Sequence, residues 1–180
     1  TTVEKEAVPG NPVPTTSTTA QLVMGDALAV ALLECRGFTV QDFARYHPGG
    51  SLGKQLYLKA LHLYTNNERP MVDAGAGIRE VILEISGKRL GAAAVMENDS
   101  LAGIITDGDL RRMLEKNKDV SELRARDIMT PNPKSIQPET LAAEALQLMR
   151  RHNITQLLVT DKGQYLGMVH LHDLLREGII

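Results

Sequence analysis

The chain has 180 residues, of which 43% are hydrophobic and 23% are charged, the balance of a folded globular protein. Its net charge of −2 and its aromatic content of 3% argue against nucleic-acid binding, which uses basic runs and aromatic stacking platforms. One cysteine excludes an internal disulfide. We identify no apolar stretch of membrane-spanning length and no signal peptide, so we expect a cytoplasmic protein without a membrane partner.

The first element that the sequence predicts is a long apolar helix from Ala20 to Cys35. The hydroxyl run Thr15–Thr19 can cap its start, and Gly37 can end it. Its many alanines favour close packing, so we expect the helix to be covered by another chain or by the later part of this one. Cys35 then becomes a core residue rather than a nucleophile.

An internal repeat follows, with an offset of 64 residues. The segment GIITDGDL at 103–110 recurs as GMVHLHDL at 167–174, and apolar residues at helical spacing in 78–85 recur in 142–149. Each copy predicts the order strand–helix–strand–strand–helix. Because about 60 residues bury little core alone, we expect the two copies to stack face to face.

This repeat resembles a tandem CBS domain pair over about residues 60–180. The second copy carries the closer match, since it opens with Asp127-Ile128-Met129-Thr130-Pro131, whereas the first has Leu63-Tyr64-Thr65-Asn66. The resemblance implies an α/β fold of two βαββα units, CBS repeat 1 in residues 61–120 and CBS repeat 2 in 121–180.

The CBS resemblance implies a nucleotide cleft between the copies. In the family pattern, Thr106 and Asp109 hold phosphate and ribose hydroxyls, and Arg111 and Arg112 can add positive charge. A plainer interpretation stays open, in which Thr106 and Asp107 only cap the following helix and Asp109 favours its first turn. We expect no required cofactor, and a regulatory nucleotide such as AMP or ATP.

The second copy departs from this pattern, because His170 replaces the threonine while Asp173 keeps the aspartate. His170 and His172 alternate along a strand and so point the same way. Two histidines without a third ligand do not make a metal site, and we predict none. They can instead donate hydrogen bonds to a phosphosugar or a nucleotide-sugar.

Residues 3–56 resemble the C-terminal end of a sugar isomerase (SIS) domain. The Thr/Ser run, the Gly25-Asp26-Ala27 helix and the His47-Pro48-Gly49-Gly50 turn carry the match. Joined to a CBS pair, this resembles the arabinose-5-phosphate isomerase family, which interconverts ribulose 5-phosphate and arabinose 5-phosphate for Kdo and lipopolysaccharide biosynthesis. Residues 1–60 would then be the C-terminal helical tail of a doubly wound SIS domain.

The same resemblance implies two catalytic residues, Glu6 and His47. Aldose–ketose isomerisation needs a base that moves a proton between adjacent carbons and a group that opens the ring. Residues Thr15–Thr18 can line the sugar site or simply cap the helix.

The family's phosphate loop and its other catalytic residues would precede Thr1, so we expect a C-terminal fragment that is inactive alone. The parent would be a homo-oligomer, a tetramer built from dimers of CBS pairs, with a sugar phosphate as its substrate. The isomerase resemblance adds CMP-Kdo, the end product of that pathway, to AMP and ATP as a candidate regulatory ligand. Two alternatives stay open: a CBS pair that serves only oligomerisation, and a stand-alone nucleotide-binding CBS protein.

Overall fold

The computed structural model describes residues 1–8, 10, 13–47, 49–116 and 119–179, without the side chains of residues 51 and 52. The chain forms two compact units, Thr1–His47 and Pro48–Ile180. Pro48, part of the predicted turn after His47, lies outside the described residues.

Among its described residues, the first unit contains two helices, α1 (Thr16–Cys35) and α2 (Val40–Tyr46). The long helix begins four residues before the predicted start at Ala20, so most of the Thr/Ser run lies in its first turn. The hydroxyls of Thr18 and Thr19 donate to the carbonyl of Thr15, at 2.9 and 3.0 Å, which is why they join the helix rather than precede it.

Helix α1 has no buried residue in the described chain. Cys35 is exposed, so its prediction as a core residue was wrong. An apolar pattern marks a face that prefers to be covered but does not supply the cover. Whether another chain covers α1 stays a prediction.

Helix α1 also corrects our expectation that the chain has no stretch of membrane-spanning length. Its 20 residues are long and apolar enough to cross a membrane, because the alanines around Asp26 keep it apolar. This is weak support for a span, since core helices of soluble proteins meet the same test.

The second unit begins with two short helices and continues with two copies of the predicted strand–helix–strand–strand–helix order, which is confirmed. The leading helices are α3 (Ser51–Tyr57) and α4 (Leu61–Tyr64). Copy 1 consists of β1 (Met71–Asp73), α5 (Ile78–Lys88), β2 (Ala92–Glu97), β3 (Ser100–Thr106) and α6 (Asp107–Lys116). Copy 2 opens with α7 (Ala125–Ile128) and β4 (Thr130–Pro131), followed by β5 (Ser135–Ile136), α8 (Ala142–His152), β6 (Gln156–Asp161), β7 (Gln164–His170) and α9 (Leu171–Arg176).

The strands form two small sheets, ordered β1-β2-β3-β4 and β5-β6-β7. The parallel pairs are β1 with β2 and β5 with β6. The antiparallel hairpins are β2 with β3 and β6 with β7. An apolar layer joins the two sheets, as the expected face-to-face stacking requires. Its buried members are Leu90, Ala92, Ala94, Leu158, Tyr165 and Met168.

The opening segment of each copy packs into the other copy. Ala60 and Leu63 lie in the core of copy 2, and the Ala60 amide donates to the Thr140 carbonyl at 2.8 Å. Ala125 lies in the core of copy 1, and its amide donates to the Ala76 carbonyl at 2.9 Å. The copies therefore complete each other's cores.

The repeated glycine of the motif fits this exchange. A Cβ at Gly103 would lie 2.7 Å from the Met129 sulfur, and one at Gly167 would lie 2.8 Å from the Tyr64 ring. These distances are below normal carbon contacts, so only glycine lets each opening segment lie against the opposite sheet.

Candidate functional site

Two clefts lie where the motif of one copy faces the other copy. The first cleft surrounds Thr106 and Asp109, and the second surrounds His170 and Asp173. The first contains a cavity of about 280 Å³, lined by Ile104, Thr106, Asp109, Arg112, Thr130, Asn132, Pro133, Lys134, Ile154 and Gln156. A neighbouring cavity of about 320 Å³ shares Thr106, Ile154 and Gln156 with it.

Asp109 is 7% exposed and caps helix α6 together with Thr106. Its Oδ2 accepts from the Thr106 amide at 2.8 Å and from the Thr106 hydroxyl at 2.6 Å, and that hydroxyl accepts from the Asp109 amide at 3.3 Å. The predicted capping role of Thr106 is thus present in the structure, but its partner is Asp109 and not Asp107. This cap uses Oδ2 of Asp109 and does not involve Oδ1.

The second oxygen of Asp109, Oδ1, is held by weaker or more exposed donors. Arg112 donates to it at 2.5 Å from a side chain that is 59% exposed, and the Thr130 hydroxyl donates at 3.4 Å. Burial by itself raises the pKa of Asp109, but the hydrogen bonds from Thr106 and Arg112 outweigh it and hold the pKa below 3.8. Asp109 is therefore an ionised acceptor at neutral pH, and it lines the cavity together with Arg112 and Thr130, the two residues that donate to Oδ1.

The rest of this cavity combines apolar walls with positive charge. Ile104, Pro133 and Ile154 supply apolar surface. Lys134 is exposed and forms no ion pair in the described part of the chain, so its ammonium is available to an anion. A ligand with a flat apolar part, hydroxyls and a phosphate matches this lining.

Gln156 lies at the border of the two neighbouring cavities, and our sequence reasoning did not single it out. Its Nε2 donates to the Leu90 carbonyl of copy 1 at 3.1 Å, and its Oε1 accepts from the Thr155 hydroxyl at 2.9 Å. The repeat could have pointed to Gln156, because the matching position 64 residues earlier is Ala92, and a polar residue at only one of two equivalent positions marks a difference between the copies.

The second cleft is built on the same plan with different residues. Asp173 is 4% exposed; its Oδ2 accepts from the His170 amide at 2.8 Å and from Asn67 Nδ2 at 2.7 Å, and Arg176 donates to Oδ1 at 2.7 Å. Asp173 lines a cavity of about 560 Å³, whose lining also includes Lys88 and Arg89.

The two histidines of this cleft contact each other. His170 Nδ1 accepts from the His172 amide at 3.1 Å, and the rings lie 4.8 Å apart edge to face. Burial and the neighbouring His172 lower the pKa of His170, while Asp173 raises it. Over the described ranges, no group of three or more His, Cys, Asp and Glu side chains is placed to hold a metal.

Glu6, one of the two predicted catalytic residues, caps helix α1. Its Oε2 accepts from the Thr15 amide at 2.8 Å, the Thr15 hydroxyl at 3.0 Å and the Ser17 amide at 3.3 Å. Hydrogen bonding from Ser17 and Thr15 lowers the pKa of Glu6 to about 2. A carboxylate held this way is a strong hydrogen-bond acceptor and a weak base.

His47, the other predicted catalytic residue, is exposed at the end of α2, with its ring 4.5 Å from the Phe43 ring. Glu6 and His47 form no hydrogen bond or ion pair with each other, although both are described. Their catalytic roles stay predictions.

A comparison with known families decides the class of this fold. The model of the CBS domain family matches residues 64–116 and 125–179, which covers more than half of the chain. The chain belongs to the CBS domain family. The two copies seen in the structure are thus a tandem CBS pair, and the predicted fold class is confirmed.

Curated relatives extend the similarity beyond the CBS pair. The arabinose 5-phosphate isomerase KdsD of Escherichia coli K12 is 48% identical over 180 residues, 99% of this chain. The chain spans 55% of that relative's length and matches its C-terminal part. The predicted resemblance to this isomerase family is confirmed, including the residues before the CBS pair.

Solved structures agree with the CBS fold. A signal-transduction protein with CBS domains from Burkholderia ambifaria is 27% identical, with a TM-score of 0.57 over 63% of this chain and 84% of that one. A CBS domain protein of Pyrobaculum aerophilum, complexed with AMP, is 25% identical, with a TM-score of 0.57 over 65% of this chain and 90% of that one.

Proposed function

We propose that this chain is the regulatory portion of an arabinose 5-phosphate isomerase, and that its first cleft senses a nucleotide or a nucleotide-sugar such as CMP-Kdo. The parent enzyme would interconvert ribulose 5-phosphate and arabinose 5-phosphate in the cytoplasm, where free Cys35 stays reduced. The similarity to KdsD over 99% of the chain supports the parent activity. Its test is the conversion of ribulose 5-phosphate by the full gene product, measured with and without the nucleotide.

The observation that carries ligand sensing is the lining of the first cleft. Asp109 offers Oδ1 as an acceptor for a ribose hydroxyl, at the cost of a long bond from Thr130 and of one exposed arginine contact. Lys134 supplies an uncompensated charge for a phosphate. The AMP complex of the Pyrobaculum aerophilum relative supports an adenosine nucleotide as the first probe.

Calorimetric titration of the chain with AMP, ATP and CMP-Kdo tests this proposal. The informative variant is Lys134→Met, since Lys134 is exposed and its loss leaves the fold intact. A hydrogen bond to a charged group contributes about 1.5–3 kcal/mol, so AMP should bind roughly 10-fold to 100-fold more weakly. Adenosine, which lacks the phosphate, should bind the variant and the wild type equally.

The matched control is Arg151→Met, which removes an exposed cation of α8 outside the cavity lining. It should leave AMP affinity unchanged. Absence of heat with all three nucleotides would end the proposal of ligand sensing. Equal losses for AMP and adenosine would show that Lys134 does not contact the phosphate.

A second candidate function is assembly, and one surface of copy 1 favours it. On α5, Ile82 is 40% exposed and Leu83 is 62% exposed, whereas the matching Leu146 of α8 is 5% exposed. Ile82 and Leu83 border a groove of about 380 Å³ together with Ile78 and Val120. If two chains associate through this groove, Leu83→Glu should lower the mass measured by light scattering, and Leu175→Glu on α9 should not.

A further inference from the structure

Gln156 reaches across the first cleft from copy 2 to copy 1. Its amide nitrogen bonds the Leu90 carbonyl at 3.1 Å, and its amide oxygen is fixed by the Thr155 hydroxyl at 2.9 Å. The two cavities of this cleft, about 280 and 320 Å³, meet at this side chain. This half-buried amide, held at both ends, is one of the three residues that line both cavities, together with Thr106 and Ile154.

The second cleft provides an internal comparison. The position that matches Gln156 is Ala92, which is fully buried and has no group that can reach the other copy. That cleft contains a cavity of about 560 Å³, larger than either cavity of the first. Ala92 does not line that cavity, whereas Gln156 lines both cavities of the first cleft, so the second cleft has no counterpart of the Gln156 contact.

The backbone of copy 1 is shaped to receive this amide. Gly91 has φ +66°, and a Cβ there would lie 2.9 Å from Gln156 Nε2. Its carbonyl also accepts from the Asp107 amide at 3.1 Å, which ties the turn to the start of α6. A side chain at residue 91 would push the Gln156 amide away from Leu90.

The two cavities differ in chemistry. The first has apolar walls and the cations Arg112 and Lys134. The neighbouring cavity of about 320 Å³ in the same cleft is bordered by Asp107, Asn153 and Thr155, which can accept hydrogen bonds from hydroxyl groups or donate to them. A molecule that filled both would have a nucleotide at one end and a hydroxyl-rich group at the other.

We propose that Gln156 determines the size of ligand that the first cleft accepts. With the amide on Leu90, the cleft accepts a ligand confined to one cavity. A ligand that spans both cavities must break that hydrogen bond, which also removes a contact between the two copies. The inference rests on the proposed nucleotide-binding function of this cleft.

The test compares AMP with ADP-ribose, which extends AMP by a phosphate and a hydroxylated sugar, in calorimetric titrations of the whole chain. Gln156 also lines the cavity that AMP would occupy, so the readout for Gln156→Ala is the ratio of the two Kd values and not the Kd for AMP alone. The variant should strengthen ADP-ribose binding roughly fivefold relative to AMP binding, because the longer ligand no longer breaks one net hydrogen bond. Gln164→Ala, at an exposed glutamine of β7, should change neither value.

A second variant protects the test against misfolding. Gln156→Met keeps the bulk of the side chain without its amide, and should strengthen ADP-ribose binding less than alanine does. If Gln156→Ala changes the Kd for AMP and the Kd for ADP-ribose by the same factor, the proposed role of Gln156 is overturned while the proposed nucleotide binding is not. The same outcome in Gln156→Met decides the question if the alanine variant does not fold. Failure of both nucleotides to bind the wild type would overturn the proposed function and this inference together.

Discussion

Asn67 joins the opening segment of copy 1 to the buried carboxylate of copy 2, and replacing it with alanine should destabilise the pair. Its Nδ2 donates to Asp173 Oδ2 at 2.7 Å and to the Met168 carbonyl at 3.0 Å. The Asn67→Ala variant leaves Asp173, which is 4% exposed, with one donor fewer. A hydrogen bond to a charged group contributes about 1.5–3 kcal/mol, so we expect a loss of about 2 kcal/mol.

Thermal unfolding followed by circular dichroism measures this loss. In a chain of this length, about 1 kcal/mol shifts the Tm by roughly 2–4 °C, so the Tm of Asn67→Ala should fall by about 4–8 °C. Asn66→Ala is the matched control, because Asn66 is exposed and its amide only donates to the His62 carbonyl one turn earlier. Its Tm should fall by less than about 2 °C. Equal shifts in the two variants would refute the reasoning that the exchanged segment is fixed at Asp173.

Three further predictions concern other contacts. Tyr165→Phe removes a buried hydroxyl that donates to the Pro70 carbonyl at 3.1 Å. Because that carbonyl also accepts from an amide of β2, the free energy of unfolding measured in urea should fall by only about 1 kcal/mol. A fall of more than about 3 kcal/mol would contradict this expectation. At the start of α1, Glu6→Ala should speed amide hydrogen exchange while Glu6→Gln, which keeps an acceptor oxygen, should speed it less; equal exchange in both would argue against the cap. The folded pKa of Asp109 lies below 3.8, so its ionised form stabilises the fold above that pH, and this contribution is lost as the pH falls through the folded value. The difference in unfolding free energy between wild type and Asp109→Asn should therefore become smaller from pH 6 to pH 3. A difference that stays constant over this range would be inconsistent with the lowered pKa.

The order of strands and helices was predictable because it depends on local patterns. The apolar residues of α5 and α8 recur at helical spacing, and the hairpins turn at residues with positive φ such as Asn98 and Lys162. The offset of 64 residues then fixed which parts of the chain are equivalent. No local pattern, however, reports which copy an opening segment packs against.

The exchange of opening segments was missed for this reason. Asn67 and Asp173 are 106 residues apart, and a hydrogen bond between them leaves no periodicity in the sequence. Cys35 was placed wrongly because an apolar helix predicts burial without naming the surface that buries it. The sequence offered a ligand site or a helix cap for Thr106 and placed the cap partner at Asp107. The structure forms the cap with Asp109, a residue that also lines the cavity.

The reciprocal packing of the opening segments also sets an order of events during synthesis on the ribosome. Leu63 leaves the ribosome before α8 and β7 have been made, so its apolar face has no partner while copy 1 is being translated. Likewise, the sheet of copy 1 lacks its edge strand until Thr130 and Pro131 emerge. Neither copy can reach its final core early, and the pair should acquire its protection from proteases in one late step, when the C-terminal copy is complete.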